Sequence, residues 1–358
     1  MTHTSTKSPR SPKPGSKPAA ELPLDRVLVG DALHRLRGLP ANSIDAVVTS
    51  PPYFLLRNYG VKGQIGAEDS VHEWVDRLVA VLDEVARVLK PGGSVWLNLG
   101  DTYSRHLRHG ALPKSLLLAP ERLTIALVDA GWRVRNKVVW AKPNPMPTSV
   151  ADRLATTWEP LLLLTRENDV YFDLDAIRVP AVSAMNRPAK VGRERKYTAE
   201  PGVRPEWSGP LAGSNVGLDR MKARGENSHP LGKNPGDVWT LATAAYRGAH
   251  FATFPEALVE RPLLATCPAR VCIECGSAWR RAAMSRTIGG LAIKGALRKS
   301  CSCASREWQP GVVLDPFFGA GTVGVVAKKL GRRWIGVELN PAFATLARQR
   351  VATEEVAA

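Results

Sequence analysis

Two short stretches at opposite ends of the chain carry residue types that do chemistry at close quarters, Thr49-Ser50-Pro51-Pro52-Tyr53 and Asp315-Pro316-Phe317-Phe318-Gly319-Ala320-Gly321-Thr322. The first offers hydrogen-bond acceptors and an aromatic plate in a turn stiffened by two prolines, a combination suited to holding a planar base by its exocyclic amine. The second is a two-glycine loop in which backbone can approach a cofactor because no side chain intervenes. Either motif alone is weak, since Ser-Pro-Pro turns occur in linkers and glycine pairs follow strands in many nucleotide-binding folds. Their contexts agree, however. Each follows an apolar run, Ile44-Asp45-Ala46-Val47-Val48 or Gly311-Val312-Val313-Leu314, so both are expected at strand C-terminal ends, where open α/β sheets bind ligands. Together the two loops describe a site that holds a planar base beside a cofactor.

The elements that must position them follow from hydrophobic spacing. Strands are expected at Arg26 to Val29, Ile44 to Thr49, Ser94 to Leu99, Lys137 to Trp140 and Pro160 to Leu164. Trp74, Val75, Leu78, Val79, Leu82, Val85 and Leu89 recur at helical intervals from His72 to Lys90, and Pro91-Gly92-Gly93 should end that helix. A second helix runs from Pro120 to Asp129, and a third begins near Pro255. The chain closes with a strand into Asp315, a helix from Val323 to Leu330, a strand Trp334 to Val337 ending at Glu338, and a helix from Pro341. Alternating strands and helices predict a doubly wound α/β fold. A cofactor-binding β-α-β unit normally opens such a sheet, yet here it comes last and the chain begins with what reads as the third strand. The order is that of a circular permutation, physically allowed when the joined termini are close and exposed.

With 358 residues the chain buries a core without disulfide or metal staples. Its formal net charge of +16 implies a polyanionic partner, with nucleic acid the first candidate. Residues 1–20 are rich in Ser, Thr, Pro and Lys and read as a disordered basic tail. No stretch is long and apolar enough to span a bilayer, and the tail lacks the apolar core of a secretory signal, so a cytoplasmic protein is expected.

Gly30-Asp31-Ala32-Leu33, the segment Trp140 to Pro147, Asp237-Val238-Trp239 and His250 to Pro255 complete a pattern with the two loops. On these residues the chain resembles the β-group amino-methylating DNA methyltransferases, in which a Ser/Asp-Pro-Pro-Tyr motif precedes the cofactor motif. The resemblance runs from about Leu24 to Arg350, outside a basic insertion and a cysteine segment. It implies a Rossmann-like S-adenosylmethionine-dependent fold acting on double-stranded DNA with the target base flipped out. It also assigns roles. Ser50 and the Pro51 carbonyl accept the amine protons, Pro52 stiffens the turn, and Tyr53 stacks on the base, with Tyr59 a weaker second plate. Asp315, Phe317, Gly319, Gly321 and Thr322 form the cofactor loop, Glu338 takes the ribose hydroxyls, Asp31 faces the adenine amine, and Phe254 is either a cofactor contact or ordinary core. Phe318 stands where relatives often carry a smaller residue, a departure that could narrow the pocket.

Ser in the catalytic motif generally accompanies cytosine N4 methylation in the family, and Asp or Asn adenine N6 methylation. The expected enzyme is therefore a cytosine-N4 methyltransferase, with the N6-adenine enzyme as the alternative. A catalytically silent DNA-binding protein is the alternative from another class, and an RNA-directed methylase a further one. A cognate restriction endonuclease is a partner to consider, and monomer and homodimer both remain open.

The expected division has a catalytic half at 21–177, a target-recognition insertion at 178–235, a cofactor-binding half at 236–266 and 310–358, and a cysteine segment at 267–309. In that last segment Cys272, Cys275, Cys301 and Cys303 have spacings compatible with a structural zinc ribbon, the C-x-C half being tighter than usual. The alternative is a loop with incidental reduced thiols. Arg280, Arg281, Arg298 and Lys299 would make such a ribbon an auxiliary DNA clamp, and Cys267 has no evident partner.

Overall fold

The computed structural model describes residues 21–180, 229–243, 253–287 and 290–355. The basic tail at 1–20 and most of the recognition insertion lie outside the described residues, as do His250 to Ala252.

The strands that carry the site are β1 (Arg26–Val29), β2 (Ile44–Thr49), β3 (Leu89–Asn98), β4 (Arg133–Ala141), β5 (Trp158–Thr165) and β6 (Val238–Thr240). Six two-residue strands, β7 (Val271–Cys272) to β12 (Trp308–Gln309), follow, and then β13 (Val312–Asp315) and β14 (Arg333–Glu338). Eight of these form one sheet in the order β1-β14-β13-β2-β3-β5-β4-β6. From β1 to β3 neighbours run parallel, whereas β5 is antiparallel to both β3 and β4. The first strand in sequence lies at one edge and the last two lie inside it, so the connection order is that of the permuted sheet expected from sequence. The order of winding reverses between the parallel neighbours β13 and β2, where a doubly wound sheet opens a crevice for ligands. Both chemical loops leave the sheet there.

Buried on both faces, these strands divide their apolar residues by parity. Val47, Leu97, Leu314 and Ile335 join a core with Leu36, Trp74, Leu78, Val85, Leu123 and Leu127. That core lies against helices α1 (Ala32–Arg37), α2 (Val71–Val88) and α3 (Ala119–Asp129). Val48, Trp96, Val313 and Trp334 face a second core with Leu258, Leu263, Val323, Ala344 and Ala347. A four-residue helix, α4 (Leu174–Ile177), precedes the helices of that second layer: α5 (Glu256–Thr266), α6 (Thr322–Lys329) and α7 (Pro341–Thr353).

Ser70 caps α2 by accepting from the Glu73 amide at 3.3 Å. The helix ends at Val88, and β3 begins at Leu89, before Pro91-Gly92-Gly93 rather than after it. Pairing with β2 shifts register between Ile44 and Ala46, and this irregularity accommodates the proline and glycines inside the strand. Asp45, 5 % exposed, ties three strands: its carboxylate takes Lys90 Nζ at 2.8 and 2.9 Å and the Val312 amide at 2.8 Å.

Candidate active site

Ser50 follows the last residue of β2, and a hydrogen-bonded chain runs from its side chain into the protein. Ser50 Oγ donates to Tyr53 Oη at 3.2 Å, and Tyr53 Oη lies 2.8 Å from Glu159 Oε2 and 3.0 Å from Asn98 Oδ1. Asn98 Nδ2 donates to the same Glu159 oxygen at 3.1 Å, and Lys142 pairs with the other. Burial, followed by the neighbouring Glu159 charge, pushes the Tyr53 hydroxyl well above the ordinary phenol range, so it stays protonated. Its ring lies over Gly100, where a Cβ would fall 2.4 Å from Tyr53 Cε2. Trp74 Nε1 holds the turn from below, donating to the Pro52 carbonyl at 2.9 Å. Pro51 borders the adjoining cavity.

The glycine loop is joined to this turn through the sheet. Thr49 Oγ1 donates to Asp315 Oδ1 at 2.6 Å, and the Phe317 amide donates to the same oxygen at 3.0 Å. Burial raises the Asp315 carboxyl to about 7, against the lowering effect of those two donors. Gly319 takes a left-handed φ of 50°, and its amide donates to Glu338 Oε2 at 2.8 Å. The Asn340 amide donates to Glu338 Oε1, also at 2.8 Å. The carboxylate is thus fixed by two backbone donors at the end of β14, with its remaining lone pairs available. Burial raises its pKa above the usual carboxylate value.

One cavity of about 660 Å3 spans both loops. Ser50, Pro51, Pro52, Tyr53, Asn98, Lys142 and Glu159 border it, as do Asp31, Phe254, Phe317, Gly319, Thr322 and Glu338. Its size and its mixture of aromatic plates with a few oriented polar groups suit a small organic ligand beside a base. Asp31 caps α1, its Oδ1 accepting from the His34 amide at 2.9 Å. Phe254 both borders the cavity and packs on the second core.

Three expected site residues sit differently. Asp315 is 1 % exposed beneath the cavity and braces Thr49 and Phe317. Gly321, with φ 79°, opens α6 where a Cβ would lie 3.1 Å from Ala347, so its small size serves helix packing. Phe318 is almost fully buried at the wall of the cavity. Its ring stacks on Trp334, with centroids 5.1 Å apart, and occupies the space left by Gly336 and Gly324.

Asn98, Gly100, Lys142 and Glu159 were not singled out in the sequence. Lys142 lies within the Trp140 to Pro147 segment, and Glu159 is an acidic residue opening an apolar strand, the one local signal that could have marked it.

Farther along the chain, Cys272, Cys275, Cys301 and Cys303 bring their sulfurs within 4.8 Å of one another. Cys267 stays apart in the core, where burial pushes its thiol up to about 12. Two of the four expected clamp cations turn inward: Arg281 binds Asp173 through contacts of 2.7 to 3.0 Å, and Lys299 binds the Cys303 and Ser305 carbonyls. Their donors are used inside the fold.

A family model described as DNA methylase matches residues 44–349. The chain is similar to the Type II methyltransferase M.SmaI of Serratia marcescens, 32% identical over 348 residues and covering 91% of this chain and 90% of the relative. It is also similar to the Type II methyltransferase M.SfiI of Streptomyces fimbriatus, 32% identical over 412 residues and covering 88% of each. Among solved structures, the fold is similar to PvuII DNA methyltransferase (cytosine-N4-specific), with a TM-score of 0.54, 17% identity and 92% of each chain covered.

Proposed function

The chain belongs to the DNA methylase family, and from that premise we propose that it transfers a methyl group from S-adenosylmethionine to the exocyclic N4 amine of cytosine in double-stranded DNA. The observation that carries this reading is the single cavity bordered by the Ser50 to Tyr53 turn and by the Gly319 and Glu338 loop. When bound, S-adenosylmethionine supplies an electrophilic sulfonium methyl.

The chain's residues must do the rest. An exocyclic amine is a poor nucleophile because its lone pair is delocalised into the ring, and acceptors on its protons weaken that conjugation. Ser50 can accept only if its own proton points away. Tyr53 Oη, 3.2 Å from Ser50 Oγ, accepts the hydrogen bond from it, and Tyr53 in turn donates to Glu159, whose charge Lys142 balances. The relay leaves Ser50 lone pairs for the amine, with the Pro51 carbonyl as the second acceptor. Tyr53 stacks on the base after it leaves the duplex, a movement required because a paired base cannot reach the donor.

On the donor side, Glu338 is oriented by the Gly319 and Asn340 amides to accept from both ribose hydroxyls. Asp31 meets the adenine amine, while Phe254 and Phe317 flank the ligand. Ser50 in the motif supports cytosine over adenine through the family's pattern. The Type II relatives support a restriction–modification role, with a cognate endonuclease acting on the same site.

Calorimetric titration with S-adenosylmethionine, paired with single-turnover methylation, tests the division of labour. Glu338→Gln should weaken donor binding by about tenfold or more. Ser50→Ala should leave donor binding nearly unchanged and slow transfer by roughly 100-fold. The opposite partition would overturn the assignment.

A further inference from the structure

The segment between α5 and β13 folds around very little apolar material: among its described hydrophobic side chains from 271 to 309, only Val271 and Cys272 are buried. Paired two-residue strands and a few polar anchors make up most of its order, including Arg281 on Asp173 and β12 on β7. A module with so small a core ordinarily needs a metal or a covalent staple. At its centre Cys272, Cys275, Cys301 and Cys303 converge from two distant stretches until all four sulfurs lie within 4.8 Å of one another.

The geometry points to a tetrathiolate zinc site formed by Cys272, Cys275, Cys301 and Cys303 that holds this module together. Zinc–sulfur bonds of about 2.3 Å place tetrahedral sulfurs about 3.8 Å apart, so the four need contract by only about 1 Å. The first pair already has the backbone of a metal knuckle. Gly276 takes φ 70°, its amide donates to the Cys272 carbonyl at 2.9 Å, and the Cys272 amide donates to the Ser277 carbonyl at 2.9 Å. Cys275 Sγ lies 3.2 Å from Ser277 Oγ. Beside the second pair, Lys299 is held against the Cys303 and Ser305 carbonyls, putting a positive charge near a site whose four thiolates exceed the charge of one zinc ion. Four protein ligands leave no open coordination position, so the ion is structural.

Elemental analysis of the full-length protein, purified from zinc-supplemented cells without chelator, gives the primary test. About one zinc per chain is expected, with cobalt substitution producing the visible absorption of tetrahedral thiolate coordination. Cys275→Ser with Cys303→Ser should lose the metal, whereas Cys267→Ala should keep it. Chelation of the wild-type protein covers the case in which the double variant fails to fold. It should raise hydrogen exchange across 271–309 while β2 and β13 stay protected. Folded wild-type protein with zinc below roughly a tenth per chain would overturn the site, whether alkylation finds free thiols or mass analysis finds disulfides. Zinc retained by the double variant would also overturn it.

Discussion

In the proposed mechanism Ser50 serves as an acceptor because its own hydroxyl hydrogen is directed to Tyr53, which donates to Glu159, and this dependence can be measured. Tyr53→Phe removes the oxygen that receives the Ser50 proton while keeping the plate. It should slow transfer by about tenfold in single-turnover assays and leave S-adenosylmethionine affinity unchanged, whereas an unchanged rate would remove the relay from the account. Asp315 makes a different prediction. Its carboxyl titrates at about 7 in the folded protein, against an ordinary value of 3.8. Between those values the native state holds a proton that the unfolded chain has released, so this group's contribution to stability falls as pH rises from about 4 to about 7. Asp315→Asn should remove that slope, and urea midpoints of both proteins across this range will read it. Ser50, Tyr53 and Gly319 could be singled out as candidates because their motifs are contiguous, and Glu338 because it ends the strand after the glycine loop; all four border one cavity. Glu159, Asn98 and Gly100 were not singled out, because they matter only through neighbours on other elements, and the acidic Glu159 opening its apolar strand is the one local signal among them.

Most elements were legible from periodicity, and the departures have local causes. The long parity-split strands and the amphipathic α2 follow directly from apolar spacing. The start of β3 does not, since Pro91-Gly92-Gly93 ordinarily marks a break and is carried here by an irregular register with β2. Phe318 likewise changes meaning in context. A residue that looked able to crowd the donor loop fills the space beneath it, against Trp334 and Gly336. A Cβ at Gly336 would fall 2.3 Å from Phe318 Cγ. Gly336→Ala should therefore cost about 1 to 3 kcal/mol in urea unfolding, and Phe318→Leu in the same chain should recover part of the loss. No recovery would mean that the glycine is required for another reason.

At the scale of the whole molecule, permutation changes the order of the chain without moving the crevice. The glycine loop and the Ser50 to Tyr53 turn follow β13 and β2, neighbours in the sheet although they come from opposite ends of the sequence. The permuted order of the units could be read in advance because each β-α unit was recognisable and only their sequence was unusual. DNA recognition could not, since no rule maps arginines in a basic insertion onto bases. The +16 net charge does predict that DNA affinity falls steeply with salt, with a log-log slope of several units in binding titrations. The most direct test of the central claim is to incubate the protein with unmethylated DNA and methyl-labelled S-adenosylmethionine, digest to nucleosides, and identify the labelled product by mass spectrometry. Labelled N4-methylcytosine, greatly reduced with Ser50→Ala, is the predicted result. N6-methyladenine would contradict the base assignment, and no labelled nucleoside despite measurable binding of donor and DNA would contradict catalysis itself.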